Sequence, residues 1–107
     1  MRNERLKGHL DVLLLKVLAG GQLHGYEIAV RLREVSEGAF DLPEGTIYPA
    51  LHRLEAQGLL DSAWQQVDGR RRRTYTVTPR GRSALRAGTR EWAAFSGAVS
   101  AVLGAGA

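Results

Sequence analysis

The side chains of this sequence best suited to chemistry are its arginines, and their spacing suits the binding of a polyanion. Arg70–Arg73 form an unbroken run, and eight arginines lie in the 21 residues from 70 to 90, which contain no Asp or Glu. The whole chain of 107 residues carries a net charge of only +4. The clustering of the positive charge, more than its total, therefore predicts a phosphate-rich partner. The predicted contact residues of this run are Arg70, Arg71 and Arg72.

A second group of polar side chains lies in residues 44–60, which have the pattern of an amphipathic helix. The apolar stripe consists of Ile47, Ala50, Leu51 and Leu54. The side chains off that stripe are Thr46, Tyr48, Pro49, His52 and Arg53. Arginine can pair with a guanine edge or a phosphate, while threonine and tyrosine suit phosphates and thymine methyl groups. We therefore expect this helix to read duplex DNA.

Both groups also have a structural interpretation. Arg53 could pair with Glu55 or Glu34, and His52 could simply be solvated. A run of arginines is usually a solvated face, and Arg73 could be used in packing because it alternates with Tyr75. The position of the run at a turn, with no acidic residue between it and Glu91, favours contact with phosphates or the minor groove.

Other kinds of chemistry find little support in the sequence. There are no cysteines, which excludes disulfides, thiolate metal sites and a cysteine nucleophile. His9, His24 and His52 fall in three different elements, so no metal site is predicted. No nucleophile–base pair or phosphate-binding glycine loop is present. The chain is thus expected to be no enzyme, to need no cofactor, and to work in the cytoplasm, since its apolar run is too short to span a bilayer.

Three helices are predicted ahead of the arginine run. The first carries an apolar face and ends at Gly20-Gly21; that face consists of Leu10, Leu13, Leu14, Val17 and Leu18. The second runs from about His24 to Ser36, and its apolar stripe consists of Ile28, Ala29, Leu32 and Val35. The third starts near Pro43 or, to relieve the clash that Pro49 causes inside a helix, near Thr46. Gly58 ends it.

Two strands and a fourth helix follow. The strands are predicted at Leu60–Val67 and Arg72–Thr78, joined by the turn-forming pair Asp68-Gly69. Trp64, in the middle of the first strand, is expected to pack in the core or the wing. Thr78-Pro79 has the residue types of an N-cap and a first helical position. The predicted fold is mainly α with a small β-hairpin, the layout of a winged helix-turn-helix.

The last helix carries an apolar seam that needs a partner. Its members are separated by three or four residues, as in a short coiled coil; they are Leu85, Gly88, Trp92, Phe95, Val99 and Val102. Little of the predicted domain lies beside this helix, so the same helix of a second copy is the expected partner. The predicted dimerisation residues are Leu85, Trp92, Phe95 and Val99. The alternative is that the seam folds back on the first helix of its own chain.

Three stretches of the sequence together resemble the PadR family of transcriptional regulators. Gly25-Tyr26-Glu27-Ile28 matches the start of that family's second helix. Gly45–Leu51, with Arg53-Leu54-Glu55 and Gly58-Leu59-Leu60, matches its recognition helix. Arg71–Arg73, with Tyr75, Val77-Thr78 and Gly81, matches its wing and the exit from the wing. The chain length resembles that of the short-tailed subgroup, in which a single helix replaces a larger C-terminal domain.

The resemblance implies a DNA-binding unit at residues 1–78 and a dimerisation helix at 79–107. The expected function is that of a homodimeric repressor that binds a pseudo-palindromic operator in double-stranded DNA. It also implies a second role for Trp92, as a stacking platform for a planar aromatic effector between the subunits; the alternative is a plain dimer-core tryptophan. A different class of function stays open, that of a winged-helix protein-interaction module, although such a module has no need of four successive arginines.

Overall fold

The computed structural model describes residues 9–104 of the chain. Within that range the elements are α1 (Leu10–Leu18), β1 (Leu23–His24), α2 (Gly25–Val35), α3 (Glu44–Ala56), β2 (Leu60–Val67), β3 (Arg70–Val77) and α4 (Pro79–Leu103). The predicted fold, mainly α with a β-hairpin, is confirmed. Residues 1–8 and 105–107, which the predicted domain bounds included, lie outside the described residues.

The core lies where α1, α2 and α3 meet the sheet. Its fully buried large side chains are Leu14, Leu15, Leu18, Ile28, Leu32, Ile47, Leu51, Leu54, Leu60 and Tyr75. α1 contacts α2, α3, β3 and α4, and this central position explains why Leu15 is buried although it lies off the predicted face; Leu13 and Val17 of that face are only partly buried. On α2 the predicted stripe runs one turn too far, because Val35 at the helix end is 60% exposed.

α3 begins at Glu44 with Pro43 as its N-cap residue, so the earlier of the two predicted starts is the observed one. Pro49 therefore lies inside the helix, where it cannot donate to the carbonyl of Gly45. An ideal Cβ at Gly45 would have no neighbour within 4 Å, so the structure is open on this side of the first turn. The helix tolerates proline here because this side of the first turn is open.

The sheet has three antiparallel strands in the order β1-β3-β2. β2 has the predicted bounds, whereas β3 begins two residues earlier than predicted, at Arg70. β1 was not predicted, since two residues are too few to show strand alternation. It pairs Leu23 with Tyr75 and His24 with Thr74, and it thereby fixes the start of α2 beside the middle of β3.

α4 starts with the predicted cap. The Thr78 hydroxyl accepts a hydrogen bond from the backbone N–H of Gly81 at 3.0 Å and donates one to the carbonyl of Gly58 at 2.7 Å. A Cβ at position 81 would lie 2.1 Å from the carbonyl oxygen of Leu59. The cap and the close approach of the backbone at Gly81 together fix the angle at which α4 leaves the wing.

Candidate nucleic-acid interface

The predicted contact residues of α3 lie mainly on its outer face, away from the buried stripe. Because Ile47, Ala50, Leu51 and Leu54 are buried, the opposite face of the helix is left for solvent or a partner. Pro49, His52 and Arg53 are exposed, and Thr46 and Tyr48 are half-buried. Thr46, Pro49, His52 and Arg53 therefore lie off the core, as an amphipathic helix requires, whereas Tyr48 packs partly against it.

Arg53 forms an ion pair, but with neither of the two partners considered from the sequence. Its guanidinium group contacts the carboxylate of Asp11 in the first turn of α1. The two side chains are 47% and 36% exposed, and surface pairs of this kind contribute only about 0–1 kcal/mol. Arg53 can therefore exchange Asp11 for another anion at little cost.

Tyr48 is positioned by the first residue of α2. A Cβ atom at Gly25 would lie 2.4 Å from the ring and the hydroxyl oxygen of Tyr48, so a larger residue at position 25 would displace the phenol. Just ahead of Gly25, His24 caps α2: its Nδ1 accepts from the backbone N–H of Glu27 at 3.3 Å, and the carboxylate of Glu27 accepts from the backbone N–H of His24 at 3.1 Å. The start of α2 and the face of α3 thus hold each other in place.

The wing is the ribbon formed by β2 and β3, and it ends in the turn Asp68-Gly69. Both turn residues have positive φ angles, 51° and 77°, as a two-residue type I′ hairpin turn requires. Arg70 and Arg71 beside the turn are exposed, and Arg72 is half-buried. Strand alternation places Arg71 on the same side of the ribbon as Tyr75, and Arg70 and Arg72 on the other side.

Trp64 lies on the wing opposite Arg73, and it is more exposed than the sequence suggested, at 54%. The guanidinium carbon of Arg71 is 4.7 Å from the centroid of the Trp64 ring, and that of Arg73 is 5.5 Å away. Both distances are within the range of a cation–π interaction. Trp64 therefore packs within the wing, against two arginines and beside solvent.

A hydrogen-bonded link joins the wing to α3. The carboxylate of Glu55 accepts from the hydroxyl of Ser62 on β2 and lies 3.3 Å from the guanidinium of Arg73 on β3. The interpretation of Arg73 as a structural residue is thus confirmed. The link sets the distance between the outer face of α3 and the arginines nearer the turn.

α3, the wing and the start of α2 enclose an open cleft of about 470 Å³. It is lined by His24, Gly25, Tyr48, His52, Trp64, Arg71, Arg72, Arg73 and Tyr75. The lining contains three arginines and no carboxylate, and its other large side chains are aromatic or imidazole rings. A groove of this charge can concentrate and bind phosphate groups.

The structure brings together half of the predicted DNA-contacting residues in this cleft. Tyr48, His52, Arg71 and Arg72 line it, whereas Thr46, Pro49, Arg53 and Arg70 lie outside the lining. The other five lining residues were not among the predicted contacts: His24, Gly25, Trp64, Arg73 and Tyr75. The signal for Trp64 was its place in the strand paired with the arginine run; the sequence held no signal for His24, because the two-residue strand β1 leaves no pattern.

Tyr75 forms part of the floor of the cleft and is fully buried. Its hydroxyl has no hydrogen-bond partner, and neither has the buried Nε of Arg73. Burial raises the pKa of the Tyr75 phenol above its ordinary value, because the charged phenolate would lose its hydration. The phenol therefore stays neutral and keeps a spare hydrogen-bond donor beneath the arginines.

The apolar seam of α4 divides into a covered and an uncovered part. Leu85 packs against the core of its own chain, and a Cβ at Gly88 would lie 2.4 Å from the side chain of Val12. Beyond that crossing, Trp92 is 51% and Phe95 60% exposed, and Val99 is also exposed. The fold-back interpretation therefore holds for the first half of α4, whereas dimerisation stays a prediction for the uncovered half.

Trp92 lies where the covered half of α4 ends. The imidazole of His9 meets its ring edge-on, with centroids 5.1 Å apart, and the ring of Phe95 is 6.1 Å away. About half of the indole surface stays exposed beside these two rings.

Between residues 9 and 104, no three side chains of the types His, Cys, Asp or Glu come together in a way that could hold a metal ion. None of the helices in this same range has the length and apolar character needed to cross a membrane.

Comparison with known proteins gives a consistent result. The sequence profile of the transcriptional regulator PadR-like family matches residues 14–87. A transcriptional regulator of Mycobacterium tuberculosis is 47% identical over 72 residues, which make up 67% of this chain and 64%, less than two thirds, of that protein. A PadR family transcription regulator of Clostridium difficile, known from a crystal structure, is 34% identical with a TM-score of 0.79, and the match covers 89% of this chain and 98% of that one.

A third relative was crystallised with its ligand. Bacillus subtilis PadR in complex with operator DNA is 26% identical to this chain, with a TM-score of 0.66. The match covers 73% of this chain and 45% of the Bacillus protein.

Proposed function

Because the chain belongs to the PadR-like family of transcriptional regulators, and not to a family of enzymes, we propose that it is a dimeric repressor that binds operator DNA. The observation that carries the proposal is the cleft in which Tyr48 and His52 of α3 meet Arg71 and Arg72 of the wing, with no carboxylate in its lining. The operator complex of Bacillus subtilis PadR supports the choice of duplex DNA as the partner.

In this proposal α3 enters the major groove and the wing contacts the flanking backbone. Thr46, Pro49, His52 and Arg53 lie along the outer face of α3, where base edges and nearby phosphates would be within reach. Arg70, Arg71 and Arg72 would hold phosphates or the edge of the minor groove. Arg53 would leave Asp11 for the DNA, an exchange that its exposed ion pair makes inexpensive.

The proposal requires a second copy of the chain. The uncovered seam of α4 offers Trp92, Phe95 and Val99 to it, and exposed apolar surface of this kind is typical of an interface. A two-fold dimer would present its two α3 helices to half-sites about 34 Å apart, one helical turn of DNA. The operator is therefore a pseudo-palindrome, and the protein acts in the cytoplasm, on the nucleoid.

A planar aromatic effector is the proposed regulator of this assembly. Trp92 supports it, since the indole has His9 at its edge and much of its surface exposed. A flat ligand stacked there between two subunits would contact both copies of the seam.

The experiment that tests the function is the selection of bound fragments from genomic DNA at physiological salt. We expect enrichment of one sequence with two-fold symmetry, and tighter binding to it than to random DNA of equal length. Enrichment of no sequence would contradict the proposal and leave the alternative of a protein-interaction module. An enriched site without two-fold symmetry would contradict the dimeric arrangement alone.

A further inference from the structure

We propose that Trp64 is a positioning residue of the DNA interface, which holds the guanidinium of Arg71 over its ring so that it faces a phosphate in the cleft. The inference rests on the proposed function, since it concerns how the wing binds DNA. Trp64 carries no charge, yet in this proposal it helps to determine how strongly Arg71 binds a phosphate.

The two arginines beside Trp64, Arg71 and Arg73, have different environments. Arg73 lies directly opposite Trp64 and is held by Glu55 at 3.3 Å. Arg71 lies two residue pairs nearer the turn, on the same side of the ribbon, and within the described part of the chain it makes no ion pair. Its only specific contact there is the Trp64 ring, 4.7 Å from the guanidinium carbon. Trp64 is thus what restrains an otherwise mobile side chain.

The strand pattern also places the Arg71 guanidinium on the side of the ribbon that faces the cleft. One side of β2 faces α3, as the hydrogen bond between Ser62 and Glu55 shows, and this side carries Ser62, Trp64 and Gln66. A guanidinium stacked on Trp64 therefore lies on the cleft side of the ribbon, and both residues line the cleft. Without the ring, a free arginine beside the turn would sample many rotamers, and ordering it on a phosphate would cost side-chain entropy.

The stack on Trp64 leaves the hydrogen-bond donors of Arg71 available to a phosphate. A cation–π contact uses the face of the guanidinium, whereas its N–H groups lie in the plane and can still donate to phosphate oxygens. With Trp64 54% exposed, DNA that reaches Arg71 also covers part of the indole. The tryptophan should therefore change its environment when DNA binds.

The experiment is a double-mutant cycle on the full chain with the selected operator. Trp64→Leu keeps an apolar side chain but removes the π face, and Trp64→Phe keeps a ring. We expect Trp64→Leu to weaken binding by about three- to fivefold, as the loss of an exposed cation–π contact would, and to lower the slope of log affinity against log salt. Trp64→Phe should retain most of the affinity. In the Arg71→Ala background, Trp64→Leu should have no further effect.

Arg70→Ala provides the matched control, because Arg70 is on the other side of the ribbon and should combine multiplicatively with Trp64→Leu. The inference is overturned if the effects of Trp64→Leu and Arg71→Ala also multiply, or if Trp64→Leu leaves the salt slope unchanged. Thermal unfolding checks that each variant is folded.

A second readout does not depend on removing Trp64. With Trp92→Phe the protein has Trp64 as its one tryptophan, and its emission should shift or be quenched when operator is added. Unchanged emission with full binding would also overturn the inference. If the wild-type chain binds no DNA, the proposed function fails instead, and the two failures are therefore distinct.

Discussion

Tyr75 has a hydroxyl group that the fold buries without giving it a partner. Removing such a group costs little, and it can stabilise the protein because an unsatisfied buried donor carries a desolvation penalty. We expect Tyr75→Phe to leave the free energy of unfolding at pH 7 unchanged or to raise it by about 1 kcal/mol. Chemical denaturation at one fixed protomer concentration measures this. A loss above about 2 kcal/mol would mean that the hydroxyl has a partner.

The same residue predicts a pH dependence. The pKa of Tyr75 is raised in the folded chain, from the ordinary value of 10.0. Below pH 10 the phenol is neutral in both the folded and the unfolded chain; as the pH rises from there through the folded-state pKa, the unfolded chain ionises first and the folded chain loses stability. Between pH 7 and pH 11 Tyr75→Phe should lose less stability than the wild type. Tyr26→Phe is the control, because Tyr26 is 57% exposed, and it should lose as much as the wild type.

Reading of the operator should depend on the residues that point from α3. If Thr46 or Arg53 contacts a base, Thr46→Ala or Arg53→Ala should reduce the discrimination between the operator and a mutated operator, by about 1–3 kcal/mol where a bidentate pair is lost. Competition binding with both DNAs measures the ratio. Equal discrimination by the wild type and both variants would show that α3 is not the reading helix. Asp11→Ala controls for the loss of the ion pair to Arg53 and should leave the ratio intact.

At the scale of single residues, the sequence predicted which side chains of α3 lie off the core better than it predicted the residues with which they pair. Periodicity was enough to place Thr46, His52 and Arg53 off the core. The pairing of Arg53 with Asp11 could not be predicted, since 42 residues separate them and only the packing of α1 on α3 brings them together.

At the scale of elements, three of the described glycines lie where an added Cβ would come within 3 Å of a neighbour, and only at Gly81 is that nearest neighbour a backbone atom. Gly81→Ala would push a Cβ against the carbonyl of Leu59, 2.1 Å from its ideal position, and we expect a loss of about 1–3 kcal/mol. Gly97, on the same helix, has no neighbour within 4 Å of an added Cβ. Gly97→Ala should stabilise the helix by about 0.5–1 kcal/mol. Thermal unfolding of both variants provides the measurement, and equal effects would contradict the packing at Gly81.

The elements themselves were largely predictable, because helices with a strong apolar period and a turn of the type Asp-Gly leave a clear pattern. The hairpin strand β3 was predicted two residues short, since Arg70–Arg73 show no alternation of polar and apolar residues. β1 left no pattern at all. The cleft depends on β1, because this strand brings His24 beside β3, and its full lining was therefore beyond the sequence.

At the scale of the whole molecule, α4 makes the chain elongated, with extents of 55 × 28 × 22 Å. Phe95→Asp or Val99→Asp would place an unpaired charge in the proposed dimer interface, at a cost of several kcal/mol. The variants should sediment as monomers or unfold, and they should lose operator binding because two half-sites are no longer held in register. A wild-type chain that sediments as a stable monomer at micromolar concentration would contradict the role of the seam.

Trp92→Ala separates the two roles proposed for that tryptophan. If Trp92 only packs in the dimer, the variant loses dimer stability, and planar aromatic compounds change the DNA affinity of neither form. If it is also a stacking platform, such compounds should quench its fluorescence and weaken DNA binding by the wild type alone. Trp64→Phe is the control, since it leaves Trp92 as the single tryptophan whose quenching can be followed.

The start of α1 contacts both the proposed effector site and the proposed DNA-contacting face of α3. His9 packs against Trp92, and two residues later Asp11 forms an ion pair with Arg53 of α3. If a ligand or a second subunit at Trp92 shifts His9, the balance between Asp11 and DNA as the partner of Arg53 should shift with it. Thermodynamic linkage makes such an effect reciprocal. Operator DNA should then change the affinity at Trp92 by the same factor as occupation of Trp92 changes the affinity for operator.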